Sequence, residues 1–218
     1  MTSAPLDRLA AHPLIERFMR AIAAHPAREI SAEGRTRLAA ILLVLRARED
    51  GEPELLMIKR ADAAGDPWSG HIACPGGRME PGDRDLAVTA VRETWEETGI
   101  DASRDGRLIG QLDDLSPRSL ALPPIIIRPF VALVRSDVQI VPSVEVASAF
   151  WVPLSALRAR AAWGMGLVQA TDGGRNVSTF QHGEHVVWGL TERVLRQFLA
   201  HAGDAPGGES IDESAEPG

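Results

Sequence analysis

Thiols are nearly absent from this 218-residue chain, whose one cysteine is Cys74. A lone cysteine cannot form an intramolecular disulfide, so a reducing, cytoplasmic compartment is expected. Long apolar runs are missing too: the longest, from Leu38 to Leu45, is too short to cross a bilayer. The amino terminus lacks the basic start and apolar stretch of a signal peptide, and no membrane partner is expected. Basic residues are in deficit, 23 Lys and Arg against 30 Asp and Glu, for a formal net charge of -7. That balance argues against a general nucleic-acid surface, but it leaves room for phosphate compounds held by local arginines or bridging cations. There is no internal repeat. With 44% hydrophobic residues the chain has material for one good core and is too short for two full domains.

Apolar residues from Leu9 to Ile22 recur at three- and four-residue steps, predicting a helix that begins near Pro13 and packs on the main domain or on a second subunit, as in a homodimer. Residues 1–35 are therefore set apart as a helical extension. Two β-favouring runs follow, Arg37 to Arg46 and Glu54 to Arg60, joined by the turn formers between Arg48 and Pro53. A loop over 61–70 leads to a short strand at His71 to Cys74. Further strands are expected at Gly106 to Leu115, at Ile125 to Val134, where Pro129 points to an edge or bulge, and at Ala147 to Val152. A short helix starts at Pro153. The glycine-rich stretch from Trp163 to Asn176 is expected to be irregular, Phe180 to Val187 to form a last hairpin or strand, and Trp188 to His201 an amphipathic helix. From Ala202 onward the composition is that of a disordered acidic tail. Strands mixed with helices of different lengths, without regular alternation, favour an α+β or layered mixed-sheet fold.

The chain is organised around Pro75 to Ile100: Pro-Gly-Gly, a short acidic loop, then a helix ending Arg92-Glu93-Thr94-Trp95-Glu96-Glu97-Thr98-Gly99-Ile100. On the helical wheel Glu93, Glu96 and Glu97 fall at about 0°, -60° and +40°, one acidic face, with Val88, Val91 and Trp95 opposite as the expected packing stripe. Asp83 is placed to cap the helix and Gly99 to stop it. Like charges at this spacing cost a few tenths of a kcal/mol per pair. A solvated face would tolerate that. A hard divalent cation would offset it, since it takes carboxylate and carbonyl oxygens and leaves room for phosphate.

Pro75-Gly76-Gly77 followed by Arg92-Glu93-x-x-Glu96-Glu97-x-Gly99-Ile100 resembles the Nudix box, the strand-loop-helix motif of hydrolases that cut nucleoside diphosphates linked to a further group. The resemblance covers roughly Arg37 to Ala200. It implies an α/β (α+β) fold, a Nudix-type α/β/α sandwich around a mixed β-sheet, with residues 36–201 as the hydrolase domain and 202–218 as the tail. It also implies a Mg²⁺ or Mn²⁺ cofactor held by Glu93, Glu96, Glu97 and the carbonyl of Gly76, with Glu93 as a ligand or as the base and Arg92 orienting it. Glu145, outside the box, is the second candidate base. Arg60, Arg118 and Arg128 are candidate phosphate contacts, and Trp68 a candidate base-stacking residue. His182 and His185, three apart, are read as solvated or strand-packed, and Cys74 as a small core residue beside the site.

Two departures matter. The box is one residue longer than usual, and Arg84 stands where an early Glu is expected, leaving Asp83 or Asp85 to compensate. The extension, together with Leu56-Met57-Ile58-Lys59-Arg60-Ala61, Gly70-x-x-x-Cys74-Pro75-Gly76-Gly77 and Trp188-Gly189-Leu190-Thr191, is similar to the coenzyme A diphosphatase branch. That branch's Arg in the 62–68 loop, and its Phe where Cys74 sits, are missing. The implied reaction is hydrolysis of coenzyme A or acyl-CoA to a 4'-phosphopantetheine species plus 3',5'-ADP. Other substrates of the class remain open (ADP-ribose, a dinucleotide, an oxidised nucleoside triphosphate), as do a non-catalytic nucleotide-binding module and, further off, an isoprenoid diphosphate isomerase.

Overall fold

Alternation along the first long strand sets the layers. The computed structural model describes residues 3–32, 34–64, 68–117, 124–170 and 173–204. Helices α1 (Ser3–Ala10) and α2 (Pro13–Ala24) lead into strands β1 (Arg37–Ala47), β2 (Pro53–Arg60), β3 (Ile72–Ala73) and β4 (Gly76–Arg78). Helix α3 (Leu86–Thr98) and strands β5 (Gly106–Gln111), β6 (Ile125–Val134) and β7 (Val146–Pro153) follow. Helix α4 (Leu154–Arg158), strands β8 (Trp163–Ala170), β9 (Gly173–His182) and β10 (His185–Trp188), and helix α5 (Gly189–His201) complete the order.

The main sheet runs β3-β2-β1-β6-β5, with β4 added to β1 and β7 to β2. Strands β1 and β6 are parallel and the other pairs antiparallel, so the sheet is mixed. Successive side chains of a strand point to opposite faces. Ala40, Leu42 and Val44 of β1 therefore pack with Leu86 and Ala90 of α3, while Leu43 and Leu45 pack with Leu14, Ile15 and Phe18 of α2 and Val194, Leu195 and Phe198 of α5. These side chains are buried, each contributing about 1.5–3 kcal/mol in the case of the larger ones. Phe18 and Phe198 meet with ring centroids 5.1 Å apart. Helix α3 covers one face and α1, α2 and α5 the other, which is the α/β/α sandwich around a mixed sheet. Among the described residues no helix is long and apolar enough to cross a membrane.

Several expectations need correction. The stretch from Trp163 to Asn176 is not irregular: β8 and β9 form an antiparallel ribbon, extended by β10 into a second sheet. Its glycines hid the strand alternation, but Gly166 has room for little else, since a Cβ there would press on Thr179. Strand β6 is not an edge. It lies between β1 and β5, and the register break sits on β5 between Leu108 and Gly110. Strand β5 stops at Gln111, short of Leu115, which makes only an isolated bridge to Ile127. Gly76 and Gly77 belong to a strand, paired with Ile41 and Ala40. The first residues of the expected tail are ordered, with Ala202 fully buried and Asp204 bonded to Arg17 and Arg158. Residues 205–218 lie outside the described residues.

Candidate active site

Helix α3 buries one of its three acids, Glu97, with Glu93 partly buried and Glu96 exposed. Leu86, Thr89, Ala90, Thr94 and Thr98 are its buried residues, together with Glu97, whereas Trp95 is 55% exposed. Of the Val88, Val91 and Trp95 stripe, Trp95 is thus outward and Val91 only partly buried against the core, while the side carrying Glu97 is the one turned toward the sheet. Small and threonine side chains allow this, because Thr94 and Thr98 return their hydroxyls to the carbonyls of Ala90 and Thr94 and need no other partner. The N-cap is Asp85, which accepts the Val88 amide at 2.8 Å, and not Asp83. Gly99 closes the helix with φ 74°.

The two glycines of β4 let this helix approach. Gly76 has φ 152°, and a Cβ there would meet the backbone of Ala40 and Ile41. A Cβ on Gly77 would collide with the Glu93 carboxylate. The Gly76 amide donates to Glu97 Oε2 at 2.9 Å. Arg60 Nη1 stands 3.9 Å from Glu97 Oε1. Burial pushes the Glu97 carboxyl up to about 7, against the lowering effects of the Gly76 amide and Arg60. Glu93 is also raised, chiefly by burial, with Arg92 opposing.

Asp83 has a different task from a cap. Its carboxylate is 4% exposed and accepts from Arg92 Nε and Nη2, the Glu80 amide and the Thr89 hydroxyl, at 2.9–3.0 Å. The Arg92 hydrogen bonds hold its carboxyl well below the usual carboxylate range. Arg92 then reaches Glu96 Oε2 at 2.9 Å, Glu93 Oε1 at 3.1 Å and the Arg78 carbonyl at 3.0 Å. Of the two aspartates left to compensate for the early Glu, Asp83 is the one bonded to the box arginine.

Beside this network opens a cleft of about 1130 Å³. Glu93, Glu96, Glu97, Gly76, Arg60 and Trp68 all border it. Glu145 does as well, although it is distant in sequence. The segment before it is tied to α3, with Val141 and Ser143 amides donating to the carbonyls of Thr98 and Glu97, and the Glu145 carbonyl accepts from Ala61. The Glu145 carboxylate is near enough to raise both Glu93 and Glu97, and among the described residues it accepts no side-chain hydrogen bond. Arg128 is not in the cleft. Asp114 grips it at 2.8 and 2.9 Å and Glu29 at 3.1 Å. Arg118 lies outside the described residues. Cys74 is buried, and its thiol is pushed up to about 12, which makes it a poor nucleophile. His185 stacks on Phe150 and pairs with His182 across the β9–β10 hairpin.

Sequence reasoning missed Glu80, His71, Trp188 and Thr191 on the cleft wall. Only the last two carried a signal, through the fragment Trp188 to Thr191.

Among the described residues no three His, Cys, Asp or Glu side chains converge into a closed metal site. The three box glutamates instead lean on Arg92 and on the Gly76 amide, as carboxylates do when only cationic and N–H partners offset their repulsion. Their chemistry still fits a hard cation: oxygen donors of one helix face, graded from buried Glu97 to exposed Glu96, in an open cleft.

The NUDIX domain family model matches residues 35–170. A relative from Yersinia enterocolitica, named as an uncharacterized Nudix hydrolase NudL, is 33% identical over 165 residues, covering 73% of this chain and 78% of its own. The NudL of Photorhabdus laumondii is 29% identical over 163 residues, covering 74% and 83%. Among solved structures, a NUDIX hydrolase from Alicyclobacillus acidocaldarius aligns with a TM-score of 0.48 at 21% identity, over 78% of this chain and 93% of that one. The motif at 75–100 and the family match over most of the sheet agree, and the chain belongs to the Nudix hydrolase family.

Proposed function

We propose that this protein hydrolyses the diphosphate of a nucleotide derivative, with coenzyme A or an acyl-CoA as the first substrate and a 4'-phosphopantetheine species plus 3',5'-ADP as products. The observation that carries the reading is the Glu97 carboxylate fixed by the Gly76 amide beside Glu93 and Glu96 on the wall of one large cleft. Glu93, Glu96 and Glu97 would hold Mg²⁺ or Mn²⁺, with the Gly76 carbonyl as a further donor. When bound, such a cation supplies the positive charge and Lewis acidity that a diphosphate displacement needs.

The chain's own residues do the rest. Arg92, anchored on Asp83, fixes the rotamers of Glu93 and Glu96. Glu145 accepts the proton of the attacking water, because its carboxylate borders the cleft and is not committed to a donor. Glu93 is held by Arg92 and takes the ligand role. Arg60 steadies phosphate oxygens and Trp68, 37% exposed on the cleft wall, stacks on the base. The free thiol fits action in the cytoplasm.

A product-resolved panel with Mg²⁺, covering coenzyme A, acyl-CoA, ADP-ribose, a dinucleotide and an oxidised nucleoside triphosphate, tests the reading. Glu145→Gln is expected to lower kcat by about 10²–10⁴-fold with little change in KM. Tight binding without turnover would identify a nucleotide-binding module instead.

A further inference from the structure

The cleft has a wall that the proposed chemistry leaves unused. Helix α5 begins on it, so that Trp188, Gly189, Leu190 and Thr191 all line the same space as the box glutamates. No side chain caps this helix: Trp188 stands at the N-cap in extended conformation, and Gly189 turns the chain with φ 65°. The first amides of a helix need partners from outside it, and with the helix dipole they favour an anion.

Thr191 adds an independent pointer. It is only 8% exposed, it borders the cleft, and its hydroxyl makes no hydrogen bond among the described residues. The other buried threonines behave differently, Thr89 bonding Asp83, Thr94 and Thr98 their own helix, and Thr179 the Gly164 carbonyl. A hydroxyl without a protein partner, on a residue this buried at a helix start on the cleft wall, is a donor available to a ligand. Beside it His71 and Trp188, ring centroids 4.6 Å apart, form an aromatic wall.

We propose that the start of α5 and the Thr191 hydroxyl form a phosphate subsite, which takes a phosphomonoester of the substrate separate from the diphosphate that is cut. The inference rests on the diphosphatase reading for its claim that substrate fills the cleft. It narrows the substrate class to nucleotide diphosphate derivatives that carry an additional phosphate.

Coenzyme A and its dephospho form share the scissile diphosphate and differ by one phosphomonoester, so they make the test. The wild type is expected to prefer coenzyme A through KM. Thr191→Val is expected to raise KM for coenzyme A about tenfold, the size of one hydrogen bond to a charged group, with kcat and the dephospho substrate unaffected. Thr191→Ser, which keeps the hydroxyl, is expected to stay near wild type, and it serves with the wild type if the valine variant does not fold. In parallel, inorganic phosphate is titrated against the backbone amide shifts of residues 189–191. Those amides are expected to move in the wild type and much less in Thr191→Val.

Equal kinetics for the two substrates overturn the proposal. Amide shifts with phosphate but no substrate preference would assign the site to free phosphate and also overturn it. If neither compound is cut, the diphosphatase reading fails, and calorimetric binding of the two compounds then decides the subsite: tighter binding of coenzyme A than of its dephospho form, weakened in Thr191→Val, upholds it, and equal binding sinks it.

Discussion

Arg92 and Arg128 are held in nearly the same way, yet only Arg92 holds side chains that line the cleft. Each offers Nε and Nη2 to both oxygens of a buried aspartate, Asp83 at 3.0 and 2.9 Å and Asp114 at 2.8 and 2.9 Å. Each aspartate also takes a backbone amide, from Glu80 and from Ile30. The difference is what the guanidinium reaches next. Arg92 turns to Glu93 and Glu96 on its own helix, whereas Arg128 turns to Glu29 on the segment that links α2 to β1. The same bidentate chemistry thus holds an acidic face in one place and ties a connecting segment to the sheet in the other. An arginine's partner does not reveal its purpose; the surface it completes does.

The comparison can be broken by substitution. The largest effect on turnover is expected inside the cleft, where Glu97→Gln should lower kcat by about 10²–10³-fold or more while the protein stays folded. Arg92→Ala should follow, with a drop of about 10²-fold through misplaced Glu93 and Glu96 and a stability loss of about 3–5 kcal/mol from the uncompensated Asp83. Arg128→Ala is expected to cost similar stability, a fall in Tm of roughly 6–20 °C, and to leave kcat within about twofold. If Arg128→Ala abolished turnover in a protein that still folds, the distinction drawn here would fail.

Smaller effects depend on pH. The carboxyl of Asp83 is held low by Arg92, so the folded state releases this proton at a lower pH than the unfolded chain. Its contribution is present above the ordinary aspartate value of about 4 and is lost as pH falls below it. Asp83→Asn should therefore flatten the fall of Tm on the acid side. Glu97 has the opposite sign: with its carboxyl raised to about 7, the metal-free protein should lose stability as pH rises from about 4.5 toward 7. Thermal melts in a chelator at pH 5 and pH 8 should show that loss, Mg²⁺ should reverse part of it at pH 8, and Glu97→Gln should remove both effects.

Much of this was legible along the chain. The long strands of the main sheet were visible because β1, β2 and β6 are apolar on both faces and bounded by turn formers. Helix α3 was visible too, through its acids and Gly99, and so were Glu93, Glu96 and Glu97 as a set. Other features were not. Periodicity marks an apolar stripe without saying how deep each residue sits, and of Val88, Val91 and Trp95 it is Trp95 that lies in solvent. The β8–β9 ribbon escaped notice because glycines at 164 and 166 erase the two-residue alternation that marks a strand.

Sequence by itself determined the family, the acidic helix and its glycine approach, since these rest on local spacing and on which backbone conformations a residue type permits. Tertiary structure decided the rest. It placed Glu145 beside the box by bonding its loop to the end of α3, gave Asp83 to Arg92 and Asp114 to Arg128, and put the uncapped start of α5 on the cleft wall. Each of these joins residues far apart in the chain or chooses among equivalent charges. The choice depends on burial and distance, which no local pattern of residues encodes.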